Sequence, residues 1–308
     1  VAIFALWQAY DDPRYHGADP AVHEMRAYVS EQAAPSDVIL LSSPTYVPHF
    51  MNYYKGEATW YSLPWAPGER YSPEQQPVVA EGSVEALAGE EAVYANALFS
   101  QHGTFYHGRP IWLVMDLGPD LPWAPRPVER YFSLHNYPVT AIDFNPYARL
   151  VQYLPYHAPG EAAPAHETGA TFGGTMRLAG YDITVSGEGR GWADVGPGDQ
   201  LGLSLVWEAA APVGADYTVA VHIIGPDGLP VLQQDRAPAG GFAPTSTWQP
   251  GERLRDNYGF ILPEGLPPGG YQVWVVVYSW PSLERLPVTG PGGEPLGDHV
   301  VLGRFEVR

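Results

Sequence analysis

Three groups of side chains in the 308-residue chain have types and spacing suited to chemistry. Near the start, Asp11-Asp12-Pro13-Arg14-Tyr15 sets two acids beside an Arg and a Tyr, with Asp12 and Arg14 as a candidate polar ligand pair. The same residues fit an N-terminal turn in which Pro13 fixes φ and Arg14 pairs locally. Further on, Tyr53, Tyr54, Trp60, Tyr61 and Trp65 cluster closely enough to form a sugar-stacking platform, led by Tyr54 and Trp60. A helix packed on an edge strand is the favoured account of those aromatics. In the second half Trp207, Trp248, Trp274 and Trp280 are the stacking candidates. Trp207 alternates in step with Leu201, Leu203 and Leu205, which assigns it to a core. Trp248 lies in the loop Pro244-Thr245-Ser246-Thr247-Trp248-Gln249-Pro250-Gly251-Glu252 and is the ligand candidate, the other role for such a Trp being to plug the end of a sandwich.

Much chemistry is excluded. No Cys is present, so thiolate catalysis, disulfides and Cys-ligated zinc are ruled out. No Gly-x-Gly-x-x-Gly or Walker-type motif follows a strand signal, and the loop Ser42-Ser43-Pro44-Thr45-Tyr46 has a Pro and no Gly where a pyrophosphate would approach the backbone. There is no Gly-x-Ser-x-Gly elbow, and His23-Glu24 lacks a second His at the zincin spacing. His102 and His107, five apart, do not share a helix face. Asp199, Asp227 and Asp256 sit where loop carboxylates could meet a calcium ion, without an EF-hand pattern. A glycosidase needs two carboxylates at a set separation, and among 34 acidic residues no pair stands out. No catalytic residue, metal ligand set or cofactor is therefore expected. Sixteen basic residues against 34 acidic ones give a net charge of -18, which disfavours nucleic acid as a partner.

The elements that must position these side chains change character along the chain. Helical signals over residues 20–34, 48–54, 84–99 and 128–134 alternate with extended runs at 37–43, 59–63 and 110–116. Extended segments over 139–154 follow. This order predicts an α/β domain, Rossmann-like with a mostly parallel sheet, over residues 1–156. Residues 157–170 read as a Pro-rich linker. From residue 171 to 308 the hydrophobic period becomes two, and turns such as Gly225-Pro226-Asp227-Gly228 separate the runs. That pattern predicts an all-β antiparallel sandwich, jelly-roll or Ig-like.

Two passages carry a resemblance. The first comprises Asp12-Pro13-Arg14-Tyr15, Arg26-Ala27-Tyr28-Val29, Pro35-Ser36-Asp37-Val38-Ile39-Leu40, Phe50-Met51-Asn52-Tyr53-Tyr54-Lys55-Gly56 and Arg109-Pro110-Ile111-Trp112-Leu113-Val114. It resembles the soluble extracytoplasmic region of bacterial relatives of the dolichyl-phosphate-mannose mannosyltransferase and aminoarabinose transferase family. The second comprises Trp248-x-Pro250-Gly251-Glu252, Asp256-Asn257-Tyr258, Leu262-Pro263, Pro268-Gly269-Gly270-Tyr271, Val277-Tyr278 and Arg285-Leu286-Pro287-Val288. It is similar to a β-sandwich appended to some of those proteins. The resemblance implies a polytopic enzyme that moves sugar from a polyprenyl-phosphate donor. Its catalytic acids would lie before Val1, leaving this chain a non-catalytic accessory region. The implied partners are its own upstream membrane domain and a glycan or protein acceptor, at an extracytoplasmic location. The run Val1-Ala2-Ile3-Phe4-Ala5-Leu6-Trp7 is too short to span a bilayer and fits either the end of a membrane helix or a buried first strand. A free-standing secreted carbohydrate-binding protein and a glycoside hydrolase are the alternatives.

Overall fold

A computed structural model describes residues 20–42, 50, 54–62, 110–116, 126–146, 148–160, 163–188 and 191–308. The chain divides into two compact units, Val1–Glu129 with Ala141–Tyr153, and Arg130–Thr140 with Leu154–Arg308. Asp12 and Arg14, the helical signal at 84–99 and most of that at 48–54 lie outside the described residues.

In the first unit helix α1 (Pro20–Gln32) begins on a proline, whose missing N–H is no loss in a first turn. Its Val22, Met25 and Val29 fall on one face and are buried. They pack with Ile39 and Leu41 of strand β1 (Val38–Leu41) and with Trp112 and Val114 of β3 (Ile111–Asp116). All four residues of β1 are buried, as in a strand covered on both faces. It runs parallel to β3 on one side and to β2 (Thr59–Ser62) on the other. Asp37, just before β1, accepts hydrogen bonds from Ala34 N and Trp112 Nε1, each 3.0 Å, tying the end of α1 to the sheet.

The expected Rossmann-like domain is not what forms. Helix α2 (Pro127–His135) leads directly into β4 (Asn136–Asp143), and β5 (Ala148–His157) follows a short turn in which Phe144 N donates to Ala148 O at 2.9 Å. β5 then pairs antiparallel with β3, so the five-stranded sheet has the order β2-β1-β3-β5-β4 and is mixed. The physical reason is connection length. A parallel pairing needs a crossover of a dozen or more residues, and the turn between the neighbours β4 and β5 is too short for one, so these two run in opposite directions and the sheet cannot be all parallel. The described residues are mostly β, with α1 and α2 the α-helices given among them. No described helix is long and apolar enough to cross a membrane.

The second unit is a β-sandwich. One sheet has the order β11-β8-β7-β6-β13-β14 and the other β10-β9-β12-β15. The strands are β6 (His166–Phe172), β7 (Met176–Val185), β8 (Gln200–Ala209), β9 (Tyr217–Ile224), β10 (Pro230–Arg236), β11 (Arg253–Ile261), β12 (Gly269–Ser279), β13 (Val288–Thr289), β14 (Pro295–Gly297) and β15 (Val300–Val307). Alternate residues of each sheet meet in one core: Leu201, Leu203, Leu205 and Trp207 from β8, Val219, Val221 and Ile223 from β9, and Val273, Val275 and Val277 from β12. The turn from β9 to β10 needs a left-handed residue, supplied by Gly228 at φ +79°.

Two features close this sandwich. Between the edge strands β10 and β11, Asp256 is fully buried and accepts from Ala239 N (2.9 Å) and the Tyr258 hydroxyl (2.7 Å). Arg236 of β10 lies 3.5 Å from that carboxylate, donates to Asn257 O, and sits 4.1 Å over the Tyr258 ring. On the far face of β8 and β11, glycines make room for residues 130–140. A Cβ on Gly259 would come 2.8 Å from Tyr137 O, and one on Gly202 2.8 Å from Tyr137 Cε2. Asn257 Nδ2 donates to Leu134 O (2.9 Å) and Ser133 O (3.3 Å) in the same segment.

Gly259→Val drives a branched side chain into the Tyr137 backbone. It is expected to cost about 1–3 kcal/mol, the range for over-packed sites. Gly191→Ala, with nothing within 4 Å, is expected to stay within about 0.5 kcal/mol of wild type. Denaturant titration of both variants reads the difference, and a Gly259→Val protein as stable as wild type would contradict the close approach.

Candidate functional site

The outer face of the four-stranded sheet collects the polar and aromatic side chains that the core excludes. On β12 the core takes Tyr271, Val273, Val275 and Val277, so Gln272, Trp274, Val276 and Tyr278 point the other way. Thr218, Ala220 and His222 of β9 and Gln233 and Asp235 of β10 share that face by the same two-residue period. Register places His222 directly opposite Trp274, and Ala220 opposite both Val276 and Asp235.

These side chains form two linked groups. In the first, His222 Nε2 donates to Asp235 Oδ1 (2.9 Å) and the Tyr278 hydroxyl donates to Asp235 Oδ2 (3.0 Å). In the second, the Trp274 ring stacks on His299 with centroids 3.9 Å apart. Asp298 holds that imidazole at 2.8 Å and accepts from Arg285 at 3.0 Å. Trp274 Nε1 donates to Gln272 Oε1 (2.9 Å). Beneath these groups Ala220 and Val276 are buried. Trp280 follows at the end of β12 and is 72% exposed.

The carboxylates here are ionised anchors. Burial pushes Asp235 up, but the hydrogen bond and charge of His222, the Tyr278 hydroxyl and Arg285 together hold it below the usual carboxylate range. The His299 hydrogen bond holds Asp298 down against a smaller effect of burial, with Arg285 adding to it. Burial, then the bond to Asp235, raises the Tyr278 hydroxyl. The face thus offers flat apolar rings beside fixed hydrogen-bonding groups, the combination that grips a sugar by its C–H face and its hydroxyls.

Of the residues singled out from the sequence, Trp274 lies on this face and Trp280 follows it, while the others that are described are placed elsewhere. Trp248 is 5% exposed, tilted against Trp207 at 6.1 Å, and its Nε1 donates to Ala243 O (3.0 Å). Its ring is covered by the sandwich itself. Tyr54 and Trp60 do come together, around Phe50 of the first unit: Tyr54 stacks on it at 4.6 Å and Trp60 meets it edge-on at 5.7 Å. The Tyr54 hydroxyl accepts from Ala58 N (3.1 Å), and burial raises its pKa, with Asp37 adding to the effect. Both rings pack on that unit's core. Asp199 caps its own turn through Gly196 N (2.8 Å) and Asp227 does the same through Leu229 N (3.0 Å). Among the described residues, no three His, Asp or Glu side chains gather where they could hold a metal ion. Sequence reasoning missed His222, Asp235, Tyr278, Asp298 and His299. The available signal was the polar half of each alternating strand, read as a face of its own.

The Asp235 shift sets a pH dependence. Its folded value lies below the unfolded value of about 3.9, so its contribution to stability is present above that value and is lost as pH falls through the folded one. The difference in thermal stability between wild type and Asp235→Asn is expected to be largest above about pH 5 and to shrink toward about pH 2. A difference that grows as pH falls below about 5 would contradict the network.

No family model and no curated protein matches the chain. Solved structures share a partial likeness. The C-terminal domain of wzt is 15% identical with a TM-score of 0.30, over 47% of this chain and 81% of that one. A Bacteroides uniformis β-glucuronidase is 13% identical at 0.26, over 46% of this chain and 15% of that one. The CARDB domain of the PF1109 protein from Pyrococcus furiosus, in complex with di-metal ions, is 12% identical at 0.25, over 45% and 93%. At such scores these likenesses carry no argument about fold or function.

Proposed function

We propose that the chain is a non-catalytic accessory region that contacts glycan through the outer face of its four-stranded sheet. We place it on the extracytoplasmic side of a membrane glycosyltransferase that uses a polyprenyl-phosphate sugar. The observation that carries the glycan contact is the Trp274–His299 stack set beside the His222–Asp235–Tyr278 hydrogen-bonded group. Binding is favoured over hydrolysis by the same electrostatics. A glycosidase needs one carboxyl held protonated as the general acid, whereas Asp235 and Asp298 are both shifted the other way. The attachment to a glycosyltransferase rests on the resemblance in the sequence. A secreted carbohydrate-binding protein would use the same face and differ in having no membrane partner.

A glycan array probed with wild type and Trp274→Ala tests the contact. Wild type is expected to retain a defined set of glycans and the variant to lose about tenfold or more in affinity for them, the loss typical of a central aromatic contact. Absence of binding by the folded wild type would remove the proposal.

A further inference from the structure

The outer face has a length as well as a chemistry. From Trp274 to the end of β12 the register with β9 is regular, running from Trp274 opposite His222 to Ser279 opposite Tyr217. Trp280 follows at once, six residues beyond Trp274. At the rise of an extended strand the backbone positions of the two tryptophans are spaced by roughly 20 Å, about the length of a four-sugar stretch. His222 stands level with Trp274, while Asp235 and Tyr278 lie further along toward Trp280, above the buried Ala220 and Val276.

The turn that carries Trp280 is held firmly. Ser279 N donates to Glu284 O (3.0 Å) and Leu283 N donates to Ser279 O (2.8 Å). Leu283 stands in the left-handed region at φ +60° and is 58% exposed. A leucine in that conformation costs about 1–2 kcal/mol that glycine would not, and here it buries little in return. An exposed Trp and an exposed Leu on a braced turn supply apolar surface at the end of the polar row. Charge narrows the ligand. Asp235 and Asp298 face Arg285 and two histidines, in a chain whose net charge is -18, so a polyanionic chain would be repelled.

Resting on the glycan-contact reading above, we propose that this face takes an extended, uncharged oligosaccharide laid along β12. Trp274 and Trp280 are its two stacking stations, and His222 beside Trp274, with Asp235 and Tyr278 between the stations, meet its hydroxyls. The site reads a stretch of chain and not a single terminal sugar.

Isothermal titration calorimetry with neutral cello-, manno- and malto-oligosaccharides of one to eight units tests this. Affinity is expected to rise with length to about four units, as the second station is reached, and then to level off. Trp280→Ala is expected to weaken the longer chains about tenfold and the disaccharide by much less. Trp274→Ala should weaken every length. Trp280 is exposed enough for its variant to keep the fold, so the test stands even if Trp274→Ala melts. Equal affinity for disaccharide and hexasaccharide, or indifference of the long chains to Trp280→Ala, overturns the extended site while leaving glycan contact intact. No binding by any member of the ladder overturns both.

Discussion

A carboxylate buried between two sheets organises the sandwich. Asp256 has no solvent exposure, and burial pushes its pKa up while Arg236, the Tyr258 hydroxyl and Ala239 N–H pull it back. A carboxyl group in such a place is tolerated only when its partners are fixed. The partners are equally constrained. Arg236 Nε and Nη1 are buried without acceptors, so the neighbouring carboxylate and the Tyr258 ring carry most of the compensation. Ala239 stands at φ +53° in the turn after β10, a left-handed residue whose N–H is held by Asp256. The polar network thus does at the open side of the sandwich what apolar packing does in its middle. It closes β10 against β11 and leaves neither edge free to slip.

That closure reaches the opposite face through strand periodicity. Gln234 and Arg236 point inward from β10, donating to Gly259 O and Asn257 O of β11. Between and beside them, Gln233 and Asp235 point outward. The inward pair pins the strand, and the outward Asp235 is thereby set at hydrogen-bonding distance from His222 and Tyr278. A shift of β10 by one residue would exchange the two faces, placing Asp235 in the core and Arg236 in solvent. Stability and the candidate site are therefore two sides of one register.

Local pattern was informative wherever a single element decides the outcome. The burial of Val22, Met25 and Val29, the doubly covered strand at Val38–Leu41, and the alternation of Leu201, Leu203, Leu205 and Trp207 follow from spacing alone. What spacing does not carry is which strands pair. Residues over 139–154 read as extended, but the antiparallel pairing of β5 with β3 depends on partners distant in the chain, and it helps turn an expected parallel sheet into a mixed one. The same limit hid the site. His222 and His299 are isolated in sequence and meet Trp274 only across strands. Trp248 looked exposed because its loop is polar and proline-rich, yet an indole that reaches Trp207 gains more from the core than from water.

The account turns on the coupling between Arg236 and Asp256, and a double-mutant cycle measures it. Arg236→Met, Asp256→Leu and the double variant would be compared with wild type by denaturant unfolding. Each single change leaves a buried charge without its partner and is expected to cost about 3–5 kcal/mol, while the double variant costs far less than the sum. Additivity within about 0.5 kcal/mol would show that the two groups do not act together and that something else closes the sandwich.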